Sequence, residues 1–127
     1  MDIALWIAAG LLAAVALAGG ITKTFLPPEK LAAHEGGRWT ADARVGFVKT
    51  LGILELLAAI GLILPALLDI APVMVPVTAT CWVVLMVGAM ITHGHYGQVR
   101  LAMVNAAYLA LAAFIAFGRF GLESFTV

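Results

Sequence analysis

Charge is scarce in this 127-residue sequence. Only 11% of it is charged, with seven basic and seven acidic residues and no formal net charge. A soluble domain carries about a quarter. With no basic excess there is no electrostatic footprint for nucleic acid. Cysteine occurs once, as Cys81. One thiol excludes an intramolecular disulfide and any Cys-x-x-Cys chemistry within the chain. In its apolar surroundings it reads as a small packing residue. Period-two alternation is missing from the apolar segments, which argues against a β-barrel. No repeat or low-complexity tract is visible. A positive n-region is missing too: the start is Met1-Asp2, so the Ala-x-Ala site in "AVALAGG" is not expected to be a signal-peptide cleavage site.

What fills the chain is apolar. Hydrophobic residues make up 64% and the mean hydropathy is +1.10. So short a chain cannot bury that much apolar surface in a water-soluble core. Lipid is therefore its expected solvent. Four segments, 3–26, 45–68, 71–92 and 99–117, are each long enough for a bilayer core of about 30 Å. The expected fold is all-α: an integral membrane bundle of four transmembrane helices forming one domain over residues 1–127. Breakers mark the joints: Pro27-Pro28, Asp69 with Pro72, and "HGHYGQ". Pro65 and Pro76 fall inside spans, where neighbouring helices can satisfy the freed carbonyls.

Basic residues set the expected orientation. Lys30, Arg38, Arg44, Lys49 and Arg100 gather on one side, with Lys23 near it, against Arg119 on the other. The long connection, 27–44, is expected in the cytoplasm and both termini outside. It reads as an interfacial segment, with a short helix near Glu29 to His34 and Trp39 at the headgroups. The sharper reading makes it a lid over a pocket.

Ionisable groups inside spans are costly and need a partner or a purpose. Lys23 ends the first segment. Glu55 lies six residues beyond Lys49, about 9 Å at helical rise. Asn105 lies equally far beyond Val99, and His93 and His95 end the third segment. All converge on one membrane face. Ala9, Ala13, Ala16, Gly20 and Lys23 share a helix stripe, as do Gly52, Glu55 and Ala59, and Gln98, Asn105, Tyr108 and Ala112. Small residues around each polar group allow close helix approach. Turned inward, these faces bring Lys23, Glu55, a histidine, Asn105 and Tyr108 together, with room for a ligand of about 1,000 Å³ at most.

Two readings compete. In one, the polar groups pair only to fix helix register. In the other they form a site at the inner leaflet. There Glu55, next to a histidine, passes protons, and the cluster hydrogen-bonds a quinone or another lipophilic carbonyl compound. Metal is not expected. His93 and His95, two apart, point about 200° apart on a regular helix, and no second spanning helix carries a histidine for haem. The spacing does not decide which of the two faces inward.

"AGGITK" (Gly19, Gly20, Lys23), "GILEL" (Gly52, Glu55), "GLILP" (Gly61, Pro65), His93 in "ITHGHYG" and Asn105 in "RLAMVN" together resemble the DoxX-like family of small bacterial four-helix membrane proteins. The resemblance covers nearly the whole chain. It implies a bacterial inner-membrane location and association with membrane redox chemistry, since the family name comes from a subunit of a thiosulfate:quinone oxidoreductase. It extends loosely to four-helix membrane isomerases acting on lipophilic substrates.

The leading expectation is thus a redox-associated subunit or enzyme handling a quinone or similar lipophilic molecule. Glu55 is the proton acceptor, Lys23 its counter-ion and a donor to a carbonyl, and His93 a shuttle. Asn105, Tyr108 and His95 contact the substrate. No cofactor is fixed by the sequence; a quinone is the one candidate. The expected partners are the bilayer, a lipophilic small molecule and, lacking a cysteine pair, a redox protein. A homo-oligomer is compatible with the Ala- and Gly-rich faces. The alternatives are a cofactor-free isomerase using Glu55 and His93, and a non-catalytic scaffold or binding protein.

Overall fold

A computed structural model describes residues 2–124 of the chain. Its elements are α1 (Asp2–Phe25), α2 (Pro28–Ala33), a 3-10 segment (Glu35–Asp42), α3 (Val45–Leu67), α4 (Met74–His95) and α5 (Val99–Phe117), which continues as a π-helical turn (Gly118–Leu122). The described residues contain no strand. Asp2–Phe25, Val45–Leu67, Met74–His95 and Val99–Gly121 are each long and apolar enough to cross a membrane. The protein is an all-α, multi-pass membrane bundle of four spanning helices.

The breakers explain the boundaries. Pro27 disfavours helix at the residue before it, and Pro28 opens α2 at its first position, where a missing N–H costs nothing. Between α3 and α4 the chain reverses through Asp69 and Ala71, both with positive φ (53° and 48°). Ala71 therefore cannot begin a helix, and α4 starts at Met74, later than the apolar run suggests. Pro76 consequently falls in the first turn of the α4 span, where its missing N–H removes no hydrogen bond from the helix interior. The helix also runs past Thr92, so both histidines lie in its last turn. Gly97, at φ +70°, makes the left-handed turn that ends it.

Consecutive spanning helices run antiparallel. α1 packs chiefly on α3 and α4 on α5, and the two pairs join through α3–α4 and α1–α5. The core holds Leu12, Ala16, Leu62, Ala79, Trp82 and Ile115 among others. Large apolar side chains such as Ile7, Ile53, Ile91 and Phe117 point outward. That inversion is normal when hydrocarbon is the solvent.

Glycines set how near the helices come. A Cβ on Gly20 would lie 2.9 Å from the Gly52 carbonyl oxygen and 2.7 Å from Leu56 Cγ, so α1 and α3 cross almost backbone to backbone. A Cβ on Gly61 would lie 2.5 Å from Thr78 Oγ1, which brings α3 against α4 near their short turn. At the same end, buried Arg119 donates from Nη1 to Asp2 Oδ1 (2.7 Å) and to the Glu123 carbonyl (2.9 Å). Its guanidinium lies over the Trp6 ring. The chain's two described ends are thereby tied together. The opposite end holds the long connection and the polar residues.

Candidate functional site

Lys23 and Glu55 meet directly above the α1–α3 crossing. Lys23 Nζ lies 2.9 Å from Glu55 Oε2. The approach depends on Gly19, where a Cβ would fall 2.5 Å from Glu55 Oε1. The carboxylate occupies the space that any other side chain would fill. Glu55 is 6% exposed, so its charge is compensated by the ammonium rather than by solvent. Lys49, six residues closer to the start of α3, donates to the Thr24 carbonyl at 2.8 Å and so satisfies an orphan acceptor at the end of α1.

The pair lies on the wall of a cavity of about 570 Å³ between the helices. α1 contributes Val15, Gly19 and Lys23, and α3 contributes Phe47, Leu51 and Glu55. α4 supplies Trp82, Met86, Ala89 and His93, and α5 supplies Asn105 and Tyr108. The volume falls within the range of small-molecule sites, and the wall is mostly apolar with a few convergent polar groups.

The two histidines separate. His93 is buried (8% exposed) and lines the cavity, with Nδ1 2.8 Å from Gln98 Oε1. An amide oxygen only accepts, so Nδ1 is the donor in this contact, which leaves Nε2 as the ring nitrogen on offer to the cavity. His95 is exposed, stacks edge-to-face on Tyr96, and does not line the cavity. Asn105 is half-buried and donates to the Leu101 carbonyl at 3.0 Å, which leaves its amide oxygen to offer. Tyr108 is half-buried on the same wall. Cys81 is exposed on the outside of α4.

Three contributors were not singled out for the site by sequence reasoning. Gln98 fixes the His93 tautomer; the turn glycine Gly97 just before it is the signal, because it folds Gln98 back until its N–H reaches the His93 carbonyl at 2.8 Å. Trp82 forms part of the wall with only 2% exposure. Phe47 gives a third side, with nothing in its local pattern to mark it.

The long connection lies over this end of the bundle. Gly36, Trp39 and Ala43 line the cavity, and Trp39 is half-buried. The segment thus covers the cavity as well as carrying an interfacial tryptophan. It is held from below by Leu31, which is buried, and from the side by Tyr96, whose hydroxyl donates to Asp42 Oδ2. That bond to the carboxylate holds the Tyr96 phenol above its ordinary value. Asp42→Ala is expected to free the cover. Hydrogen exchange over 35–42 should speed at least tenfold, as should that of Tyr96→Phe, while the spanning helices keep their protection. Unchanged exchange in both variants would mean that the bond does not hold the segment.

A family model described as the DoxX-like family matches residues 7–115. No curated protein and no solved structure matches the chain.

Proposed function

The chain belongs to the DoxX-like family, and from that premise we propose that it binds a quinone, or a similar membrane-dissolved carbonyl compound, in the cavity and exchanges protons with it through Glu55 and His93. The observation that carries this reading is the pair of half-buried Lys23 with buried Glu55 on the wall of a 570 Å³ cavity that His93 also lines. An ion pair serving only to fix helix register has no need of a cavity beside it.

The chemistry follows from the donors and acceptors. Lys23 donates to a carbonyl oxygen of the ligand, and the Asn105 amide and Tyr108 hydroxyl position the ring. When a quinol is oxidised, its two electrons pass to a redox partner protein and its two hydroxyl protons pass to Glu55 and to Nε2 of His93. Reduction runs the same transfers backwards. A single cysteine gives the chain no dithiol of its own, so the partner supplies the electron carrier. His95, exposed, takes no part in the transfer.

Orientation belongs to the same proposal. Lys30, Arg38, Arg44 and Arg100 are exposed on the cavity end; this basic excess supports a cytoplasmic side for that end, with the termini outside a bacterial inner membrane. The protons are then exchanged on the cytoplasmic side.

Native mass spectrometry with lipid extraction tests the reading. The purified protein is expected to carry a quinone, and Glu55→Gln to lower its occupancy at least tenfold with the bundle intact. Protein that carries only phospholipid and binds no added benzoquinone would overturn it. The same acid and base on an apolar cavity also suit a cofactor-free isomerase. That alternative predicts turnover of a lipophilic substrate by the chain alone, without any partner.

A further inference from the structure

We infer that the cavity opens sideways into the bilayer between α3 and α4, and that its ligand keeps a hydrocarbon chain in this gap while an uncharged polar head lies at Lys23 and Glu55. This rests on the reading of the cavity as a ligand site.

The exposure of the wall locates the opening. Every cavity residue that α1 and α5 contribute is buried or half-buried. The exposed ones on the spanning helices are Phe47 (56%) on α3, and Val84 (70%) and Gly88 on α4. A residue that lines a cavity and also faces outward marks its rim. Helix geometry accounts for the gap. α3 and α4 are pressed together where Gly61 meets Thr78 near their short turn. At Gly88 a Cβ would meet nothing within 4 Å. Gly88 both lines the cavity and faces outward, so at that level α4 presents no side chain to close the gap toward α3.

Depth identifies the medium at the rim. Val84 is eleven residues before the end of α4 at His95, about 16 Å along the axis. That is mid-bilayer, so the rim meets acyl chains there rather than water. Phe47, Leu51, Val84 and Gly88 offer no charge and no side-chain hydrogen bond, which suits a hydrocarbon chain. At the polar end the ammonium of Lys23 is already compensated by Glu55. A neutral carbonyl or hydroxyl head fits this pair, whereas a phosphate head would meet the Glu55 carboxylate.

Two benzoquinones with the same head test the inference in nanodiscs, one bearing a ten-carbon chain and one a methyl group. Binding is read as quenching of Trp39 and Trp82 at equal mole fraction in the bilayer. The chain is expected to tighten binding at least tenfold. Gly88→Phe, which the open space at Gly88 accommodates, should remove that gain and leave the methyl compound within twofold. Equal loss of both compounds, or of neither, overturns the inference. If neither quinone binds the wild-type protein, the proposed ligand class fails and brominated-chain phospholipids decide the gap. Quenching of buried Trp82 that Gly88→Phe abolishes then supports a chain in the gap and overturns the neutral head. An unquenched Trp82 overturns both.

Discussion

Lys23→Met is expected to destabilise the bundle by about 3 kcal/mol, and adding Glu55→Gln to it should recover most of that loss. Removing one partner of a buried pair leaves an uncompensated charge, which costs about 3–5 kcal/mol, and a carboxylate at membrane depth costs about as much. Lys23 is 22% exposed along its side chain, against 7% for Glu55, so the lower end of the range applies. The two single variants should differ for the same reason. After Glu55→Gln, the lysine near the end of α1 can extend its ammonium toward the interface and still find the glutamine carbonyl, so the loss should be about 1 kcal/mol. After Lys23→Met, Glu55 has no comparable route, because it sits in the space left by Gly19 on a wall facing apolar side chains. Reversible unfolding in mixed micelles, run as a double-mutant cycle, measures all four species. Additive losses in the double variant would mean that the two charges do not depend on each other.

That pair was legible in the sequence for a physical reason. Helical periodicity assigns each residue to a face, and charge in a span demands a partner at matching depth, so Lys23, Glu55 and Asn105 could be placed at one end before any coordinates. The boundary of α4 was not legible in the same way. The expected third segment begins at Ala71, yet the chain turns there with a positive φ that alanine rarely adopts, and this shifts the helix by three residues and moves Pro76 into its first turn. His93 and His95 differ by about 200° in direction on a helix, but which one faces inward depends on how far the helix continues. Gly97 and Gln98 settle it by closing the turn onto His93.

The cover and the gap lie further from what sequence can give. Trp39 reads equally well as a headgroup anchor or as part of a lid, because both uses bury one side of an indole. Its half-buried place on the cavity wall comes from the Asp42–Tyr96 bond, a contact 54 residues apart in the chain that no local pattern announces. The gap proposed between α3 and α4 is likewise invisible to periodicity. A stripe of small residues says that helices can approach, not that they do. Gly61 and Gly88 look alike in the sequence; one is filled by Thr78 and the other faces open space.

Gly52→Leu should therefore be among the most damaging single substitutions in the protein, costing about 3 kcal/mol or more. Overpacking in a fitted interior costs about 1–3 kcal/mol when side chains can shift. Here the obstruction is mostly backbone and side-chain root: a Cβ at Gly52 would lie 2.9 Å from the Thr24 nitrogen, 2.9 Å from Lys23 Cβ and 2.5 Å from Thr24 Oγ1. The threonine hydroxyl can rotate, but the Thr24 nitrogen and Lys23 Cβ cannot yield without moving α1. Separation of α1 from α3 would also pull Lys23 off Glu55, whose 2.9 Å contact lies within a turn of the crossing, and would lift Lys49 from the Thr24 carbonyl. Lys23 should then react faster with an amine reagent, which reports the loss of the pair independently of stability. Gly10→Leu is the matched control. Gly10 lies on the same helix as the crossing, faces outward, and a Cβ there meets nothing within 4 Å, so its effect should stay within about 0.5 kcal/mol. Equal stability of the two leucine variants would show that the backbone crossing at Gly52 does not hold the ion pair in place, and the polar end of the cavity would need another support.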